Sequence, residues 1–174
     1  MHKDIGALAE TNRLHLADWA TGDSGVAQNG VHLDTQAQLA DADTNYQSKR
    51  TGQIVVDVNA TLTVANTLAL VGTLQHSPDD GAGSPSGFVN VPAGTLLGTA
   101  HLGTGDITAL AIGTVLQAAP SVKFVLGPID LTRLERHVRL VVTPTFTNAA
   151  DTAVVAVHVI TGGSSIRPVD ALAG

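Results

Sequence analysis

The sequence predicts an all-β protein: an antiparallel β-sandwich or jelly roll with an extended N-terminal arm. Three observations carry this expectation. From Thr51 onward, apolar and polar residues alternate at the two-residue period of a strand. These stretches are rich in Val, Ile, Thr and Leu, as a pleated, half-buried surface favours. Clusters of Gly, Pro, Asn and Asp separate them, giving about seven or eight short strands rather than strands alternating with helices.

Residues 1–50 differ from the rest. Ile5, Leu8 and Ala9 start a short amphipathic turn, but Gly6 and the polar run after Ala20 interrupt it. No periodicity persists, and a stretch of this kind does not build its own core. The expectation is an arm that orders against the domain or a neighbouring subunit, or else a loosely packed extension. Trp19 and Tyr46 are its expected anchors.

Residues 51–165 are expected to form the sandwich. Gln53–Val58 places Ile54, Val56 and Val58 on one face, and Thr67–Ser77 places Leu68, Leu70 and Leu74 inward. The segment from Pro78 to Gly87 holds three glycines and two prolines and reads as an exposed excursion. Phe88–Val91 is a short strand, and Gly94–Leu102 another, weakened by Gly98. Gly103–Ala119 reads equally as helix or strand. Ser121–Leu126 is a strand closed by Gly127-Pro128, and Asp130–Arg136 is a short charged turn. His137–Ile160 reads as a long hairpin. On its first strand Val138, Leu140, Val142, Pro144 and Phe146 share a face. On its second, Ala153, Val155, Val157 and Val159 do so, and Asn148 to Asp151 make the turn. Residues 166–174 are a tail.

Composition narrows the function classes. Hydrophobic residues make up 44% and charged residues 14%, which argues against a disordered chain. Aromatic residues are only 3% and scattered, a poor supply for stacking on sugars or single-stranded bases. The net charge of −6, with no basic cluster, argues against direct nucleic-acid binding. With no cysteine, disulfides, thiolate metal sites and cysteine nucleophiles are all ruled out. Neither an apolar run of membrane-spanning length nor a secretory h-region is visible, so synthesis in a cytoplasm is expected.

The motifs that suggest chemistry mostly fail on context. Gly22-Asp23-Ser24-Gly25 is similar to the nucleophile segment of trypsin-like proteases, but it precedes any strand that could carry the partner residues and reads as a turn. Asp41-x-Asp43-x-Asn45 opens like a calcium loop, yet Tyr46 and Gly52 stand where glycine and glutamate are required. His76, Ser77, Asp79 and Asp80 read as an edge histidine beside a polar turn rather than a hydrolytic cluster. His101, His137 and His158 lie on expected strands and are the histidines that a structural metal would use. No cofactor and no enzyme activity are expected. Arg133, Glu135, Arg136 and Arg139 form the one dense charged group. Glu135 either neutralises the arginines, or the arginines serve an interface through their planar forks.

Two segments together resemble a known family. Leu70–Asp80 (LVGTLQHSPDD) looks like a strand running into a "QHS-D-D-G" corner in small virion proteins of tailed bacteriophages. Asp130–Pro144 (DLTRLERHVRLVVTP) is similar to a later strand of the same proteins, and order and separation agree. Pro78 and the expanded Gly81–Gly87 loop depart from the tight turn followed by an aromatic residue in that pattern. The resemblance implies a capsid decoration, or cement, protein with a jelly-roll-like sandwich. It implies a homotrimer on the outer surface of a virion, bridging HK97-fold major capsid proteins and carrying no enzyme activity. The alternative is a receptor- or glycan-binding jelly roll of a tail or fibre. The candidate interface residues are Trp19, Tyr46, Arg133, Arg136, Arg139 and His158. Arg139 and His158 are expected on a shared Thr/Val face.

Overall fold

A computed structural model describes residues 9–34, 51–92 and 110–162. Ten strands follow in chain order: β1 (Ala9–Trp19), β2 (Gln28–Asn29), β3 (Leu33–Asp34), β4 (Thr51–Thr61), β5 (Thr67–Ser77), β6 (Val89–Asn90), β7 (Leu110–Leu116), β8 (Ser121–Asp130), β9 (His137–Phe146) and β10 (Thr152–Gly162). Short 3-10 turns cover Thr21–Asp23 and Leu131–Arg133. The segment 110–116, readable from sequence as helix or strand, is a strand.

Two antiparallel sheets face each other. Sheet A runs β1-β10-β4-β8. Sheet B runs β2-β9-β5-β6, with β3 also on β9 and β7 also on β5. If β2 with β3, and β6 with β7, each fill one position, the ten strands occupy eight positions, ordered 1-8-3-6 and 2-7-4-5. That is a jelly roll, in which successive positions alternate between the sheets except for the 4–5 pair, which are neighbours in sheet B.

Alternation explains the core. Leu68, Leu70 and Leu74 of β5 and Val138, Leu140, Val142 and Phe146 of β9 face Ile54, Val56 and Val58 of β4 and Ala153, Val155, Val157 and Val159 of β10. All are buried. Each fully buried aliphatic side chain of this kind contributes roughly 1.5–3 kcal/mol relative to exposure.

Two expectations need correction. The 1–50 stretch is not an arm over its described part. β1 pairs with β10 from Ala9↔Gly162 to Trp19↔Ala153, and Trp19 is 2% exposed within the core. β1 has no sustained apolar alternation because it lies at a sheet edge, where one ladder rather than a two-sided core holds it. The sandwich therefore begins well before residue 51.

The second correction concerns His137–Ile160. Its strands and turn stand where the sequence placed them, but they are not ladder partners. β9 pairs with β5, and β10 pairs with β1 and β4, so the chain crosses between sheets at 147–151. Two strands with one apolar face each satisfy the same alternation whether they pair side by side or oppose each other across a core.

Candidate functional site

Facing away from the core, sheet B carries a polar and aromatic cluster built by β9, β5 and the 78–87 loop. Antiparallel register sets Gln75 opposite Arg139 and Ser77 opposite His137. Arg139 donates from Nε to Gln75 Oε1 at 2.9 Å, and its guanidinium carbon lies 4.0 Å from the centre of the Phe88 ring. A cation over an aromatic face is attracted by the ring quadrupole. Gln75 in turn donates to Asn90 Oδ1 at 3.0 Å, tying β6 to β5.

Beside this lies an ionic knot. Arg136 engages Asp34 with Nε and Nη2, at 2.9 and 2.8 Å, and Asp79 with Nη1 at 2.6 Å. One planar fork thereby joins β3, the 78–87 loop and the start of β9. Asp79 Oδ2 also sits 3.2 Å from Nε2 of His137, which has no exposed surface. His32 meets the His137 ring edge-on at 5.0 Å between centroids and lies 6.2 Å from Phe88.

The electrostatics follow from these neighbours. Burial lowers the His32 pKa, and the nearby His137 and Arg139 lower it further against an opposing pull from Asp34. Burial alone would raise Asp79. Hydrogen bonds from Gly81, His137 and Gly83, with the Arg136 charge, outweigh it and hold the carboxyl below its ordinary value. Burial also lowers the Arg139 pKa.

The 78–87 loop is exposed but internally bonded. Asp79 Oδ1 accepts from the amides of Gly81 and Gly83, and Asp80 Oδ1 from those of Ala82 and Ser84. Ser77 Oγ donates to Pro78 O and accepts from the Gly87 amide, and His76 Nδ1 accepts from the Glu135 amide. His76, Ser77, Asp79 and Asp80 each hold backbone through one side-chain atom, and the second Asp79 oxygen holds Arg136 and His137. The Gly22–Gly25 segment behaves in the same way: Ser24 Oγ accepts from the Phe146 amide and Asp23 Oδ2 from that of Ala20.

The outward face of sheet A is chemically different. Val154 and Val125 are 48% and 52% exposed there, with Ala156, His158 and Ile160 half-buried beside them. In register, His158 pairs with Val55, and Val55 with Val125. A shallow concavity of about 380 Å³ is lined by Asp57, Asn59, Ser121, Lys123, Val154 and Ala156 among others. Lys123 and Asp57 form an exposed ion pair at 3.3 Å across it.

The candidate residues therefore do not form one surface. Trp19 is inside the core. Tyr46 lies outside the described residues. Arg136 is bound within its own chain, by Asp34 and Asp79 rather than Glu135. Arg133 is 60% exposed near Asp130. Arg139 faces out from sheet B and His158 from sheet A, so the shared face expected for them does not exist. The same geometry separates His137 from His158 as metal ligands, while His101 lies outside the described residues. Among the described residues no group of three or more His, Cys, Asp or Glu side chains could hold a metal. Sequence reasoning did not single out Asp34, Phe88 or His32 for this cluster. Nothing local marks them, because their roles arise from contacts more than about 50 residues away in the chain.

The sequence matches no protein-family model, and no curated protein is similar to it.

Proposed function

We propose that this chain is a structural virion protein that decorates and cements an assembled phage capsid by bridging neighbouring HK97-fold major capsid proteins, acting as a homotrimer on the outer surface. One observation carries this reading beyond the resemblance itself. The two segments that resemble phage decoration proteins, Leu70–Asp80 and Asp130–Pro144, are adjacent strands. Their distinctive residues interlock as Gln75 with Arg139, His76 with the Glu135 amide, and Asp79 with Arg136 and His137. Two short motifs that meet as one corner make a stronger likeness than two motifs apart.

The outward face of sheet A suits the shell contact. Its strip of Val125, Val154, Ala156 and Ile160 is small or β-branched and apolar, as the centre of a protein interface is, with the Lys123–Asp57 ion pair beside it. A protein that binds only the assembled shell stabilises that shell by mass action. The test is binding of the purified chain to empty expanded shells of the capsid protein from the same genome. Binding that is abolished by Val154→Asp and Val125→Asp in a folded protein supports the reading. Binding to glycans and not to shells would replace it with a tail or fibre role.

A further inference from the structure

The segment from Ser24 to Asp34 crosses the open edge of β9 as a thin strap. Its backbone hold is slight: Gly25 N donates to Pro144 O, Gly30 N donates to Leu140 O, and β2 and β3 pair over two residues each. Leu33 packs partly against the core. The far end is fixed mainly by side chains, through the Asp34–Arg136 fork and the His32–His137 ring contact. β1, by contrast, is held by a ladder running from Ala9 to Trp19. The strap thus depends on few backbone pairs, the condition under which a segment opens locally before the rest of a domain.

We propose that this strap is released by acid, through protonation of His32, while the two sheets stay closed. The charges around His32 decide the direction. Facing it are Asp34 from its own segment and His137 and Arg139 from β9, while Arg136 and Asp79 lie one step further out, on Asp34 and on His137. Both carboxylates are already engaged by Arg136. A proton on His32 adds positive charge beside Arg139, and the one carboxylate facing it, Asp34, is already held by Arg136. The His137 ring meets His32 edge-on and makes no hydrogen bond to it, its Nε2 being turned to Asp79. Burial and neighbouring cations already disfavour the charged form of His32, so by linkage protonation favours the state in which the ring is free. Release bares the β9 edge from His137 to Pro144.

Amide hydrogen exchange on the full chain tests this, with protection factors corrected for intrinsic rate at about pH 7.5 and about pH 5. The wild type is expected to lose about tenfold or more protection over 24–34 at the lower pH, while β5 and β10 keep theirs. His32→Asn, which cannot be protonated, should keep the strap protected at both values. Asp34→Asn, which weakens the Arg136 fork, should expose it at both. Unchanged protection in the wild type would overturn the proposal. So would simultaneous loss across both sheets, release in His32→Asn as in the wild type, or a fully protected strap in Asp34→Asn.

Discussion

The Asp151 carboxylate accepts two hydrogen bonds from Thr63, at 2.8 Å from its amide and 3.0 Å from its hydroxyl. The two residues belong to different sheet crossings. Asp151 ends the corner between β9 and β10, and Thr63 sits in the corner between β4 and β5. Asn148 Nδ2 also donates to Thr63 Oγ at 2.8 Å, so both corners at this end are joined. Asp151 has no exposed surface. Asp151→Ala would leave the Thr63 amide and hydroxyl without this acceptor and is expected to cost about 1–3 kcal/mol. Urea unfolding checks it, and an unchanged midpoint would show that the corners are held by packing alone.

Gly113 of β7 lies directly against the ring of Phe124 of β8, closing one side of the sandwich between the sheets. A Cβ at Gly113 would overlap Cε1 of Phe124, so Gly113→Ala must displace the ring. The expected loss is about 1–3 kcal/mol, as for overpacking in a fixed core. Thermal unfolding measures it. Adding Phe124→Leu, which makes room, should recover part of the loss, and a strictly additive double variant would place the cause elsewhere.

Stability should fall on acidification in two stages. The His32 pKa is lowered in the folded state, so the unfolded chain binds more protons as pH drops below about 6.5. Its contribution is complete above that value and is lost as pH falls towards the folded pKa. Asp79 is lowered from 3.8, so its contribution is present above that value and lost as pH falls through its folded pKa. Unfolding midpoints measured from neutral to acid pH should decline in both windows. His32→Asn should remove the upper decline and leave the lower one.

Arg136→Lys should open the ionic knot despite keeping the charge. A lysine ammonium cannot span Asp34 and Asp79 with three fork contacts. Because the group is partly exposed, the expected loss is only about 1 kcal/mol. Faster proteolysis within 24–34 and 78–87, with the rest of the domain resistant, is the local signature to measure.

How far the sequence could be read is clear from particular residues. Alternation in Ile54–Val58, Leu68–Leu74, Val138–Phe146 and Ala153–Val159 identified the four inner strands and their buried faces, because each has one face in the core. It could not say which strands pair, since β9 and β10 would show the same pattern as a hairpin. β1 was missed because an edge strand need not alternate. Its one strong clue is Trp19, expected to anchor the stretch on the domain or on a neighbouring subunit and found in this chain's own core. The cluster around Arg139 was half visible: the arginines stood out, but Asp34, His32 and Phe88 join them only through sheet register and the strap. The pairing of Arg136 was hidden for the same reason, because its two carboxylate partners lie 102 and 57 residues before it in the chain.

The most direct test of the cementing role is the thermal stability of empty expanded shells, measured by scanning calorimetry with and without the purified chain. The proposal predicts that saturating protein raises the temperature at which the shell melts, and that the Val154→Asp, Val125→Asp variant does not. A shell that melts at the same temperature with and without bound protein would contradict it.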